Sequence, residues 1–231
     1  MKPASDTLSN SSMDLDTHPS AESHFPVAKE GFVFVGFFAL LTGLTWGTAA
    51  GPFFGVLTAF CLYFFRDPRR CVPTGANILV SPGDGKVVDV SRVEEGRFLK
   101  KQAIKISIFL NVFDVHVNRV PVAGSVVGVF YNPGRFFAAN VPKASLENEQ
   151  NALLLETVSG ARIVCIQIAG LIARRIVCRV KAGMTLRSGE RFGLIRFGSR
   201  VDLYLPLSAD VHVAVGDRVR GGETIVGVLQ T

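Results

Sequence analysis

The sequence predicts a mainly β domain with an N-terminal helical hairpin, and three observations predict it. The run from Gly31 to Phe65 contains no charged residue. Beyond Arg70 the chain breaks into short Val- and Ile-rich runs punctuated by Gly, Pro and Asn, with no sustained helical period. Near the end, "VHVAVGDRVRGGETIVGVL" spaces two glycine turns between apolar runs, as β turns require. At 231 residues the chain has material for one domain with its own core.

Residues 1–30 are rich in Ser, Asp, Pro and Thr without apolar periodicity and read as a disordered tail. A secretory signal is not expected, because the basic leading region is missing and the apolar run starts too late. Residues 31–65, "GFVFVGFFALLTGLTWGTAAGPFFGVLTAFCLYFF", form the membrane-associated element. As one helix this run would reach ~50 Å, beyond the ~30 Å hydrocarbon core, so a break is expected. "GTAAGP" at 47–52 supplies it, with Gly51 and Pro52 as interrupters. The expectation is two short helices, spanning or re-entrant, with both ends on one side; a single tilted span is the alternative. Arg66, Arg69 and Arg70 in "RDPRR" put that side in the cytoplasm by the positive-inside tendency. The net charge of +6 is concentrated after the apolar stretch, which fits an anionic membrane surface or a nucleic acid. The hairpin favours the membrane.

Residues 66–231 are read as the β-rich domain. "NILVSPGDGKVVDV", "QAIKISIFLNVFDVHVNRVPV", "GSVVGVFYN", "NALLLETVSGARIVCIQIAG", "RFGLIRFGSRVDLYLP" and "ETIVGVL" read as strands or hairpins. The closing segment is similar to the V-G-D-x-V-x-x-G-E-x-I unit of lipoyl and biotinyl carrier domains. With "SPGDGKVV" it suggests a barrel-sandwich-hybrid core. Cys61, Cys71, Cys165 and Cys178 form no C-x-x-C pair and have no histidine at zinc spacing, so buried or lipid-facing free thiols are expected and a metal framework is not.

Chemistry enters at "RFGSRVDLYLP", where Gly198 and Ser199 interrupt an apparent strand. A serine after glycine in a strained turn can attack the preceding peptide carbonyl through a five-membered ring. Glycine tolerates the backbone angles and leaves the carbonyl open. The ester can then eliminate its carboxylate, and the dehydroalanine hydrolyses to a pyruvoyl group. Taken alone, Gly-Ser is more often a bend or bulge. In order along the chain stand "FFRDPRR", "SPGDGKV", "FDVHVNRVP", "YNPGRF", "NEQN" and "RFGSRVDLYLP". Together they resemble the phosphatidylserine decarboxylase family in its short bacterial form, over residues 31–231. The resemblance implies a proenzyme that cleaves itself between Gly198 and Ser199 into a β chain (1–198) and an α chain (199–231), the two remaining associated. Phosphatidylserine would be the substrate and phosphatidylethanolamine and CO2 the products. It implies a pyruvoyl group from Ser199 that forms a Schiff base with the substrate amine, with no pyridoxal and no metal. It also implies an enzyme of the cell inner membrane with its catalytic domain on the cytoplasmic face; a homodimer is compatible with it.

His116 is the first acid–base candidate. Strand alternation in "FDVHVNRVP" puts Asp114, His116 and Asn118 on one face; the plainer reading is a solvent-facing histidine on an edge strand. In longer bacterial relatives the motif holds two histidines, one linked to decarboxylation and one to self-cleavage. His116 matches the first, and Arg119 stands at the second, which leaves open what activates Ser199. Asp84 matches the family's self-processing aspartate, although P-G-D-G between apolar runs also reads as an ordinary hairpin turn. His212 lies opposite Val211, Val213 and Val215 and is read as structural, with no polar neighbour at alternating positions. Arg135, Arg174 and Arg175 are candidates for the headgroup anions, against solvated surface arginines as the plainer reading. Phe136 and Phe137 are candidates for contact with lipid, against core packing.

Two rivals belong to other classes. A membrane-anchored carrier or adaptor would use the lipoyl-like fold for contacts alone, but no modifiable lysine stands at a hairpin tip. A nucleic-acid-binding β domain lacks interleaved aromatic and basic residues and leaves the apolar hairpin unexplained.

Overall fold

A computed structural model describes residues 17–19, 26–75, 77–134, 148–170, 175–196 and 198–230. The apolar run forms two helices, α1 (Phe32–Leu44) and α2 (Ala50–Phe64). The break falls at residues 45–49, before the expected Gly51-Pro52 step. Pro52 instead sits in the first turn of α2, where its missing N–H leaves no bond unmade. At 1.5 Å per residue the helices reach ~20 and ~22 Å. Neither is long and apolar enough to cross a membrane.

The hairpin is fastened at its base. Phe64 and Phe65 are fully buried with Ala28, Val115, Val117 and Leu194. Residues 26–28, which composition placed in the tail, run antiparallel to 65–67: Asp67 N donates to Pro26 O at 2.8 Å and Ala28 N to Phe65 O at 2.7 Å. Of the three arginines expected to mark the membrane side, only Arg69 is exposed. Arg66 lies over the Tyr63 ring and donates to Phe113 O at 2.7 Å. Arg70 is buried in ion pairs. A guanidinium committed to protein acceptors is a poor topology signal.

Sixteen strands occur among the described residues. The first nine are β1 (Thr17–Pro19), β2 (Cys71–Pro73), β3 (Ile78–Val80), β4 (Gly85–Glu95), β5 (Lys101–Leu110), β6 (Val117–Arg119), β7 (Gly124–Asn132), β8 (Gln150–Glu156) and β9 (Arg162–Ala169). They are followed by β10 (Ile176–Cys178), β11 (Thr185–Leu186), β12 (Arg191–Ile195), β13 (Ser199–Pro206), β14 (Ala209–Val211), β15 (Arg218–Val219) and β16 (Ile225–Leu229). An antiparallel sheet in the order β11-β7-β8-β9-β13-β5-β4-β15 curls into a half-barrel. Bulges between Val87 and Asp89 and between Val126 and Gly128 bend it. Two three-stranded sheets, β10-β12-β6 and β14-β16-β3, pack with it around one core containing Ile106, Ile108, Leu153, Phe192 and Leu203. The mainly β expectation holds. A relation to lipoyl and biotinyl domains is not shown.

Two expected local pairings are replaced by changes of sheet. The runs flanking P-G-D-G do not form a hairpin: β3 pairs with β16, while β4 pairs with β5 and β15. Likewise "RFGLIRFGSRVDLYLP" is not one interrupted strand. β12 lies between β10 and β6, and β13 between β5 and β9. The Gly-Ser step is where the chain leaves one sheet and enters the other.

All four cysteines are free; Cys61 and Cys165 are buried, Cys178 is half-buried and Cys71 is exposed, against the expectation of covered thiols. Among the described residues no group of three His, Cys, Asp or Glu could hold a metal ion.

Candidate active site

Ser199 opens β13, paired with Leu110 on one side and Ala169 on the other. Alternation puts its side chain on the inner face with Val201 and Leu203. Ser199 is fully buried, and its Oγ has no hydrogen-bond partner among the described residues. The preceding Gly198 has φ +59°, in the left-handed region, and a Cβ there would meet nothing within 4 Å. Glycine is therefore favoured at 198 by its backbone angle and not by crowding.

His116 is also fully buried, which removes the solvent-facing reading. Asp114 lies in a turn before β6, with its backbone N bonded to Asn111 O at 3.0 Å, so strand alternation does not extend back to it. The imidazole packs 4.4 Å from the Phe64 ring, centroid to centroid. Its Nδ1 lies 3.0 Å from Asp114 O. A carbonyl only accepts, so Nδ1 carries the proton and Nε2 presents a lone pair. That Nε2 has no partner among the described residues. Burial pulls the His116 pKa down to about 4, partly opposed by the Asp114 carbonyl and reinforced by the Arg66 charge. The ring is thus a neutral base at rest.

Asp84 is clasped. Arg70 donates to both its oxygens, at 2.9 and 2.8 Å, and Gly221 N donates to Oδ1 at 2.8 Å. Arg70 also reaches Glu223 at 3.4 Å. The turn carrying Asp84 is held by the Gly221-Gly222 turn, whose Gly222 N donates to Ser81 O at 2.8 Å. The charge of Asp84 is felt at Asp114, the residue that orients His116, and the Asp114 carboxyl is itself pushed up by burial. Beside Asp84, Gly83 packs against Leu110 and Asn118: a Cβ there would lie 3.4 Å from each. Leu110 in turn pairs with Ser199, so the turn, the histidine segment and the serine strand meet around one point.

Arg119 is engaged elsewhere. Buried, it donates to Asp67 Oδ1 at 2.9 Å, Gly189 O at 3.0 Å and Pro68 O at 3.1 Å, and Arg191 reaches the other oxygen of Asp67 at 2.5 Å. These bonds tie the segment after α2 to β6 and β12. Arg175 is exposed, and the Arg196 guanidinium, 5.2 Å from the Phe34 ring centroid, feels its charge. Arg135, Arg174, Phe136 and Phe137 lie outside the described residues. His212 is exposed and has a polar neighbour after all: Asp210, two residues back on the same face, has Oδ2 3.2 Å from Nε2.

Sequence reasoning passed over Phe64, Arg70 and Gln167. Gln167, alone among apolar residues in "RIVCIQIA", carried a readable signal: a buried amide needs partners. Phe64 and Arg70 carried none, because an apolar helix and a basic flank explain them locally.

The family profile described as Phosphatidylserine decarboxylase matches residues 57–227. A relative from Desulfotalea psychrophila named "Phosphatidylserine decarboxylase proenzyme" is 50% identical over 205 residues, covering 87% of this chain and 96% of the relative. Similar proteins of the same name come from Syntrophotalea carbinolica, 52% identical over 209 residues with 89% and 97% covered, and Geotalea uraniireducens, 48% over 207 with 88% and 97%.

Proposed function

The chain belongs to the phosphatidylserine decarboxylase family, and from that membership we propose that it cleaves itself at Gly198-Ser199 and then converts phosphatidylserine to phosphatidylethanolamine and CO2. The observation that carries this reading is a buried serine hydroxyl with no partner among the described residues, placed directly after a glycine in the left-handed region. Ordinary folding leaves few buried hydroxyls unbonded, because each costs about 1–3 kcal/mol. Among the described residues Ser107 and Ser188 share such a hydroxyl, so it is the left-handed glycine directly before Ser199 that sets this one apart.

In self-cleavage Ser199 Oγ bonds to the Gly198 carbonyl carbon while its proton passes to His116 Nε2. The peptide C–N bond breaks and its nitrogen takes the proton, leaving an ester. Loss of the Ser199 Cα proton then expels the Gly198 carboxylate, and one water replaces one ammonia to give the terminal keto group. Asp84 is a positioning residue for His116: its charge is felt at Asp114, whose carbonyl orients the ring. The environment at 198–199 fits a pyruvoyl group, whose two adjacent carbonyls would condense with an amine and draw electrons as CO2 departs. His116 Nε2 takes a proton from the substrate ammonium and returns it to the carbon that loses CO2.

The substrate arrives along the hairpin. Exposed Phe37, Leu40, Trp46, Phe53 and Val56 lie at the lipid interface of the inner membrane's cytoplasmic face, dipping in rather than crossing. Arg175, with Arg196, faces the headgroup anions.

The test is CO2 release from phosphatidylserine vesicles. Wild-type protein should release it, Ser199→Ala should not, and Asp84→Asn should fold normally yet accumulate uncut chain without activity. Activity in a folded Ser199→Ala protein would sink the proposal; normal cutting in Asp84→Asn would remove Asp84 from it.

A further inference from the structure

Three buried amides form a directed chain beside Ser199. Asn151 Nδ2 donates to Gln167 Oε1 at 3.0 Å, and Gln167 Nε2 donates to Asn118 Oδ1 at 2.8 Å. Each bond fixes the next. With its oxygen committed to Asn151, Gln167 offers its NH2 to Asn118, which turns its own oxygen toward Gln167 and its NH2 away. That terminal Nδ2 is buried and has no partner among the described residues.

The strands are built to permit this. Asn151 stands directly opposite Gln167 on β8 and β9. Gly193 stands opposite Asn118 on β12 and β6, and a Cβ there would clash with the Val177 carbonyl oxygen and lie 2.8 Å from Gln167 Nε2, so the backbone requires glycine and the amide passes beside it. Gln167 pairs with Val201, one alternation from the Ala169–Ser199 pair, so Gln167 and Ser199 share the inner face. Asn118 Nδ2 itself lies against Gly83, next to Leu110, the partner of Ser199. An oriented donor with nothing to bond in the resting chain is costly there and useful when negative charge develops nearby.

Resting on the reading of self-cleavage at 198–199, we propose that Asn118 Nδ2 donates a hydrogen bond to the Gly198 carbonyl oxygen as it becomes an oxyanion, with Gln167 and Asn151 as positioning residues. As Ser199 Oγ bonds to the Gly198 carbon and its proton goes to His116, the carbonyl π electrons move onto the Gly198 oxygen, and the Asn118 donor bonds to the charge that develops there. When the C–N bond breaks and nitrogen takes the proton, the C=O bond re-forms and the donor is released.

The test follows appearance of the 199–231 fragment in freshly synthesised full-length chain, with circular dichroism and urea midpoints to verify folding. Asn118→Asp keeps the oxygen for Gln167 and replaces the donor with an acceptor. At pH 8 its cleavage should slow about 100-fold, the cost of losing one oxyanion donor. Toward pH 5.5 it should recover, because a protonated carboxyl donates again. Gln167→Glu should accept from Asn118 Nδ2 and turn it away, with similar slowing, and the double variant should be no slower than the worse single one. Cleavage of folded Asn118→Asp within threefold of wild type at pH 8 overturns the proposal, as does slowing that stays flat down to pH 5.5. If Asn118→Asp does not fold, native-rate cleavage by folded Gln167→Glu overturns it. Multiplicative slowing in the double variant overturns the positioning role. An uncut wild-type chain is a different result: it removes the self-cleavage reading, and the oxyanion role with it.

Discussion

His116 combines burial, an apolar ring neighbour and one fixed carbonyl, and these set its protonation without help from Ser199. Arg66 adds a repelling positive charge, and Asp114 supplies its carbonyl at Nδ1. The unfolded histidine titrates near ~6.5 and the folded one at about 4. Between those values the unfolded chain binds more protons, so stability rises with pH across the window and is lost as pH falls from ~6.5 through 4. The full loss is about 3 kcal/mol. Urea midpoints at pH 7 and pH 4.5 should therefore fall more in wild type than in His116→Gln. Equal falls in the two proteins would contradict the neutral buried ring.

At the scale of elements, the hairpin delivers both an exposed apolar surface and the cover over His116, because Phe64 ends the helix whose outer residues are exposed. Trp46, the only tryptophan, is exposed between the helices and reports on that surface. Its emission should shift to the blue on adding phosphatidylglycerol vesicles. Leu40→Asp combined with Phe53→Asp should weaken vesicle binding at least about tenfold while leaving the β domain intact, since each places a charge in an apolar interface. Undiminished binding would remove the hairpin from the membrane. This element was readable in the sequence because a charge-free run is a local signal. So were β7, β8, β9 and β16, as short runs rich in Val, Ile and Leu bounded by turn residues. The sheet changes at 81–84 and 196–199 were not, because a strand's partner is set by distant residues. Pro52 misplaced the helix break for a similar reason: a proline suits a helix start as well as a gap. At the candidate site, motif order named Ser199, His116 and Asp84, whereas the partners of Arg70 and Gln167 are set by residues far away in sequence.

Across the whole molecule, self-cleavage is compatible with the fold because the proposed cut would fall between sheets. Residues 199–230 supply β13 between β5 and β9, β15 against β4, and β14 and β16 beside β3. A severed fragment keeps these ladders and the burial of Val201, Leu203, Leu205 and Val226, so it stays bound without a peptide link. The break also costs little, since Gly198 bears no side chain and its Cβ position is open. Intact mass spectrometry of natively purified protein under denaturing conditions tests this most directly. The account predicts two species, residues 1–198 and residues 199–231, the smaller lighter by one ammonia than a serine-terminated peptide. A single uncut chain, or a smaller fragment still beginning with serine, would contradict it.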